Sequence, residues 1–150
     1  MVLIALALGL IVGSFANVVI YRLPRGESVV WPGSHCPACQ SPIRWYDNIP
    51  LVSFLFLGGR CRGCAAPISR RYPLVEGLAG ALFVQSVLTF GVSLRAAESM
   101  ILGSLLLIVF FIDLDHYIIP NRITYPGTVV GLAFTAALGG WRAAAIAALT

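Results

Sequence analysis

Apolar positions along this chain gather into blocks nearly as long as a bilayer is thick, and the polar positions collect between them. The blocks cover residues 2–20, 74–90 and 99–112, and a further one opens over 126–138. Runs of roughly 18 residues with few charges predict transmembrane helices. The stretches 91–98 and 139–142 read as short turns, and 21–72 as one long polar loop between the first and second spans. A last apolar run, 143–150, is too short to cross a bilayer at about 1.5 Å per residue. The expectation is therefore that the chain stops partway through its architecture. The predicted fold class is an all-α integral membrane protein, a polytopic helical bundle. No internal repeat and no low-complexity tract is evident.

Composition sharpens this reading. The chain has 150 residues, 59% of them hydrophobic, and a mean hydropathy of +0.90. That excludes an ordinary soluble domain, and the length fits one domain. The net charge of +4 comes from ten arginines with no lysine. Seven of these, Arg22, Arg25, Arg44, Arg60, Arg62, Arg70 and Arg71, fall in or beside the long loop. By the positive-inside rule that loop is cytoplasmic. Flanking spans argue against reading the arginines as a nucleic-acid surface, so no nucleic-acid partner is expected. The first span has no charged residue before it and two arginines after it, which predicts an anchor with its N-terminus outside rather than a cleaved signal. Gly9 and Gly13 form a G-x-x-x-G pair, a spacing that permits close helix packing.

Candidate chemistry lies first in the loop. Cys36 and Cys39 form one C-x-x-C, Cys61 and Cys64 another, and 21 residues lie between the pairs. Two thiolates on one tight turn reach a single tetrahedral ion, and a second turn closes the site. Four thiolates leave no open position, so the metal expected is a structural zinc. A zinc-ribbon-like domain of about fifty residues with a small core needs such a staple. A redox pair and four unrelated thiols are the alternatives; a reducing cytoplasm argues against structural disulfides. His35 adjoins the first pair and is read as solvated.

The second candidate is the end of the third span, where Asp113, Asp115 and His116 follow the apolar run. Carboxylates at a membrane interface often only solvate a helix end, yet ionisable groups near membrane depth are functional candidates. On a continuous helix Asp113 and Asp115 point to roughly opposite sides and cannot share one proton. His116, three residues on from Asp113, could approach it along one face. Pro120 ends or kinks the helix before it.

Four strings resemble the N-terminal half of the type IV prepilin peptidases: GSFANVVIYRLP (13–24), the paired cysteines, YDNIPLVSFLFLGGRC (46–61) and ISRRYPLVEGLAGALF (68–83). IDLDHYIIPN (112–121) is similar to that family's first aspartate motif. The resemblance covers essentially the whole chain. It implies a multi-pass aspartyl endopeptidase of the bacterial inner membrane, with its cysteine domain and active site on the cytoplasmic side. Such an enzyme removes the basic leader of type IV prepilins or type II secretion pseudopilins. Many members also N-methylate the new terminus using S-adenosylmethionine, an activity associated with the cysteine-bearing loop. The motif makes Asp113 the catalytic aspartate and passes over Asp115. The family's second catalytic aspartate belongs to G-x-G-D, which does not occur in these 150 residues. The implied organisation is a first helix (1–20), a four-cysteine domain (21–73) and the truncated N-terminal part of the peptidase membrane domain (74–150). Membrane lipids are expected to meet the basic loop. The competing reading is a non-catalytic, zinc-stapled membrane module that binds pilin precursors or assembly partners.

Overall fold

The computed structural model describes the backbone of residues 1–149 and the side chains of residues 1–140. Five α-helices organise it: α1 (Val2–Arg22), α2 (Val52–Phe56), α3 (Arg71–Phe90), α4 (Leu94–His116) and α5 (Asn121–Leu149). Short 3-10 turns follow α1 at Leu23–Arg25 and precede α2 at Trp45–Asn48. No strand forms among the described residues, where only two isolated bridges occur, His35 with Pro42 and Arg60 with Pro67. Four helical segments are long and apolar enough to cross a membrane: Val2–Arg25, Arg71–Phe90, Leu94–His116 and Asn121–Gly140. The all-helical, membrane-spanning class read from the sequence is the class observed.

Helix α1 packs chiefly along α3, α4 lies against both, and α5 joins the bundle through α4. The α1–α3 contact is a meeting of backbones. A Cβ added at Gly9 would stand 2.6 Å from the Ala79 carbonyl and 2.8 Å from Gly80 Cα; one at Gly13 would stand 2.7 Å from Glu76 Cα. The G-x-x-x-G spacing is therefore a packing face, since hydrogen in place of Cβ is what lets the two axes come this close. Below it, Ala16, Val19 and Ile20 of α1 meet Val75 of α3, Ile108, Phe111 and Ile112 of α4, and Ile123 of α5 in one buried cluster. Leu3, Ile4, Ile11, Leu88 and Leu106 are exposed. Such a surface suits lipid, where association rests on close packing rather than on removing apolar area from water.

Helix boundaries differ from the pattern-based ones at three points. α3 begins at Arg71, so Arg71, Tyr72 and Pro73 are helical; proline is tolerated there because a first-turn N–H has no intrahelical partner in any case. α4 begins at Leu94 because Ser93 caps it, its Oγ accepting from the Ala96 N–H at 3.3 Å. α5 begins at Asn121, with the Pro120 carbonyl accepting from the Ile123 N–H at 2.9 Å, and Pro126 lies inside it. At Gly140 the backbone leaves the helical region (φ 79°, ψ 168°), which breaks α5 within the expected turn.

α4 runs unbroken through both aspartates to His116 and stops at Tyr117, which adopts left-handed φ/ψ and donates its N–H to the Asp113 carbonyl at 2.8 Å. Both aspartates thus sit at the end of the bundle where α1 finishes and α3 begins, the end that carries the cysteine loop.

Glycine exchange tests the backbone contact. Gly9→Ala is expected to lower stability in detergent by about 1–3 kcal/mol through overpacking. Gly77→Ala, where an added Cβ meets nothing within 4 Å, is expected to be neutral or to stabilise by up to about 1 kcal/mol through helix propensity. Thermal unfolding of the two variants side by side is the measurement; equal effects would remove the case for a glycine-mediated seam.

Candidate functional site: a four-thiol cluster and a cleft at the membrane end

The two C-x-x-C segments fold into one structure made twice. The Cys36 N–H donates to the Ser41 carbonyl and the Gln40 N–H to the Cys36 carbonyl; the Cys61 N–H donates to Ala66 and the Ala65 N–H to Cys61. Gln40 and Ala65, each just past its second cysteine, both have φ 56°. The sequence carried this signal as C-x-x-C-x-x-P-I, at Cys36–Ile43 and again at Cys61–Ile68. The expectation of no internal repeat is corrected here: the repeat is eight residues long and shows once the match is extended past the cysteines.

The four Sγ atoms lie within 4.8 Å of one another, Cys36 and Cys64 at 3.9 Å, and all four cysteines are free. Zinc–sulfur bonds of about 2.3 Å in a tetrahedron require sulfurs about 3.8 Å apart, so the cluster fits a dication with little contraction. The thiols are already polarised. Hydrogen bonds from the Ser41 hydroxyl and Ser41 N–H, then from Cys64, bring the Cys39 thiol down to about 6. The N–H groups of Cys64 and Gly63, with Cys36, lower Cys61. At Cys64 the Ala66 N–H lowers the thiol, but Cys39, burial, Cys61 and Cys36 outweigh it and push it up to about 11. Clustered thiols cannot all ionise alone, whereas a bound dication would let all four do so.

Two contacts, from Arg22 and Glu76, fix the cysteine domain on the bundle, and two more brace the elements beside them. Arg22, buried at the end of α1, donates to the carbonyls of Ser28 at 3.0 Å, Pro32 at 2.7 Å and Gly33 at 3.2 Å. Asn17 Nδ2 donates to the Tyr72 carbonyl at 3.1 Å, joining α1 to the start of α3. Glu76 Oε2 accepts the Leu51 N–H at 2.8 Å, where Leu51 is held at φ 59° before α2. Arg62 grips both carboxylate oxygens of Asp47, which ties the second knuckle to the 3-10 turn and holds the Asp47 carboxyl below its usual range. Between the domain and the bundle lies a cleft of about 920 Å³, bordered by Asn17, Arg22, Cys36, Cys61, Glu76 and Asp115 among others. Ligand clefts run from about 300 to 1,000 Å³.

The aspartates occupy opposite sides of α4. Asp115 pairs with Arg71, whose guanidinium also stands 5.5 Å from the Phe111 ring centroid, and Asp115 borders the cleft. Asp113 is exposed, makes no side-chain hydrogen bond or ion pair among the described residues, and is not among the cleft's lining residues. His116 makes no hydrogen bond to Asp113. His35 Nδ1 donates to the Gly33 carbonyl at 3.2 Å, and the residue lies outside the four-thiol cluster.

Sequence reading passed over Glu76, Asn17 and the clamping role of Arg22. For Glu76 the signal was available: it is the sole carboxylate within residues 74–90, and an ionisable group inside a span calls for a partner or a function. For Arg22 no pattern distinguishes a buried clamp from a flanking charge.

Two family matches cover the chain in sequence. The bacterial peptidase A24 N-terminal domain matches residues 7–90, and the type IV leader peptidase family matches residues 100–150. The prepilin leader peptidase/N-methyltransferase of Myxococcus xanthus is 52% identical over 132 residues, which cover 88% of this chain and 39% of the relative. The protein of the same name from Klebsiella pneumoniae is 47% identical over 84% of this chain and 58% of its own. A type 4 prepilin-like proteins leader peptide-processing enzyme of Escherichia coli is 43% identical over 89% of this chain and 54% of its own. The chain thus spans roughly two-fifths to three-fifths of the length of these relatives. No solved structure matches it.

Thiol chemistry reports on the cluster. In metal-stripped protein at pH 7, Cys39, at about 6, is ionised and is expected to alkylate first; Cys64, at about 11, is protonated and is expected to alkylate last. Adding a thiophilic dication should protect all four together. Mass-spectrometric mapping of the labelled cysteines reads both results, and uniform labelling rates in the stripped protein would contradict the polarisation.

Proposed function

This chain belongs to the bacterial type IV leader peptidase family, and from that membership we propose that it acts as a membrane aspartyl endopeptidase that removes the leaders of type IV prepilins or type II secretion pseudopilins. The proposed setting is the inner membrane, with the cysteine domain and both aspartates on the cytoplasmic side. Seven arginines in and beside the loop support that orientation, and they would meet anionic headgroups there.

One observation carries the catalytic assignment: among the described residues, Asp115 of α4 is engaged by Arg71 and Asp113 pairs with no cation. A guanidinium on a carboxylate occupies the oxygens that a water molecule would need. An unpaired carboxylate can take a proton from water while a second carboxylate serves the carbonyl side, as the aspartyl mechanism requires. Asp113 is the proposed catalytic residue, and Asp115 the proposed link between α4 and the start of α3.

Cys36, Cys39, Cys61 and Cys64 would hold one structural zinc, supplying no chemistry to the reaction and fixing the cleft's outer wall. The names of the Myxococcus xanthus and Klebsiella pneumoniae relatives include N-methyltransferase. A cleft of about 920 Å³ has room for a donor the size of S-adenosylmethionine, which supplies an electrophilic methyl group when bound. The proposed organisation is a first helix (1–20), a four-cysteine domain (21–73) and a peptidase membrane portion (74–150).

Two experiments test this reading. In the full-length protein, Asp113→Asn is expected to lower prepilin cleavage in membranes by at least about a hundredfold, the loss usual for a general acid–base group, while Asp115→Asn stays readily measurable. The reverse ranking would move the assignment to Asp115, and wild-type cleavage no higher than in membranes lacking the protein would favour the non-catalytic module. Metal analysis of protein purified without chelator is expected to give one zinc per chain, falling in Cys61→Ser. A value near zero would leave the cluster a set of free thiols.

A further inference from the structure

Three carboxylates border the cleft: Asp47, Asp115 and Glu76. Two are already matched, Asp47 by Arg62 and Asp115 by Arg71. Glu76 is the most deeply placed, 8% exposed, and among the described residues no arginine or histidine stands within ion-pair distance of it. Its hydrogen-bond donors among the described residues are both neutral, the Leu51 N–H at 2.8 Å and the Ser14 hydroxyl. The cleft's arginines are engaged elsewhere: Arg22 with three loop carbonyls, Arg25 with the Tyr21 carbonyl and ring face, Arg44 with the Tyr46 hydroxyl, Arg62 and Arg71 with the two aspartates. A carboxylate can accept at about four lone-pair sites, so one amide and one hydroxyl leave capacity unused. A buried anion without a cation is costly unless it takes up a proton or a cation reaches it.

We propose that Glu76 is an anionic subsite of this cleft and receives a primary ammonium group of a peptide ligand. The proposal rests on the reading of this chain as a protein that acts on peptides. The Leu51 N–H and the Ser14 hydroxyl orient the carboxylate, and its remaining lone pairs would take the ammonium. The apolar neighbours Val18, Phe54 and Leu51 line the same cleft and would receive the side chains beside that ammonium. Two sources offer this chemistry, the free α-amine of a peptide and the side-chain amine of a lysine within one.

The test is binding to the full-length protein in detergent, with three peptides of one apolar sequence: a free N-terminus, an acetylated N-terminus, and an acetylated N-terminus with one internal lysine. Wild type is expected to bind an ammonium-bearing peptide about tenfold more tightly than the fully acetylated one, the worth of one charge-assisted hydrogen bond. Which of the two cationic peptides binds tighter identifies the source. Glu76→Gln keeps the bulk and the acceptor for Leu51 and is expected to bring the preference within about twofold. Protection of the four thiols shows that this variant is folded.

A second measurement needs no variant. A hydrophobic carbodiimide should join the bound amine to Glu76 of the wild-type protein as an amide that mass spectrometry maps. Absence of an ammonium preference in wild type, its persistence in Glu76→Gln, or coupling confined to Asp47, Asp113 or Asp115 each overturns the proposal. Cleavage is assayed separately on the same preparation. An inactive protein that still shows the preference would sink the peptidase reading and leave the subsite standing.

Discussion

Everything at the membrane end is positioned by the approach of two backbones. Gly9 and Gly13 let α1 settle against Glu76, Ala79 and Gly80 of α3 at distances no Cβ would allow. The cysteine domain leaves the bundle from the end of α1 and returns at the start of α3. The separation of those two points is therefore the separation of its own ends. Lipid offers no hydrophobic drive to bring helices together, so close packing must supply the specificity. Widening the seam would move Asn17 from Tyr72 and Glu76 from Leu51, and the cleft between domain and bundle would lose its shape.

Polar groups then do what apolar packing cannot. Arg22, itself buried, gathers three loop carbonyls onto one guanidinium. Glu76 reaches out of the bundle to the backbone in front of α2. Each bond joins a membrane helix to the loop rather than helix to helix. The same few residues that anchor the domain also border the cleft, so its walls are held by bonded groups rather than by mobile side chains.

The hydrophobic blocks made the fold class legible, because a period as coarse as a bilayer survives any local irregularity. The paired cysteines were legible because metal geometry constrains their spacing, and they do converge. The helix ends were blurred by one to five residues, since caps such as Ser93 and tolerated prolines such as Pro73 and Pro126 act locally inside an apolar pattern. A spacing argument placed Asp113 and Asp115 on opposite sides of a helix. It could not say which one would meet a cation, because Arg71 comes from 44 residues away. Contacts at that range leave no periodic trace. Glu76 was missed for the opposite reason: its charge stood in plain view, but the apolar run around it was read only as a transmembrane span.

The duplicated knuckle bears on how quickly the cluster could let go of an ion. Each half supplies two thiols, and 21 residues tether the halves. They act as a bivalent chelator, in which release of one half leaves the other holding the ion nearby. A short tether keeps the freed half at an effective concentration in the mM range, so it recaptures the ion faster than solvent can remove it. Exchange needs both halves open at once, and the rate becomes a product of two small probabilities. An ion held by all four thiols would thus leave far more slowly than it would leave either half alone.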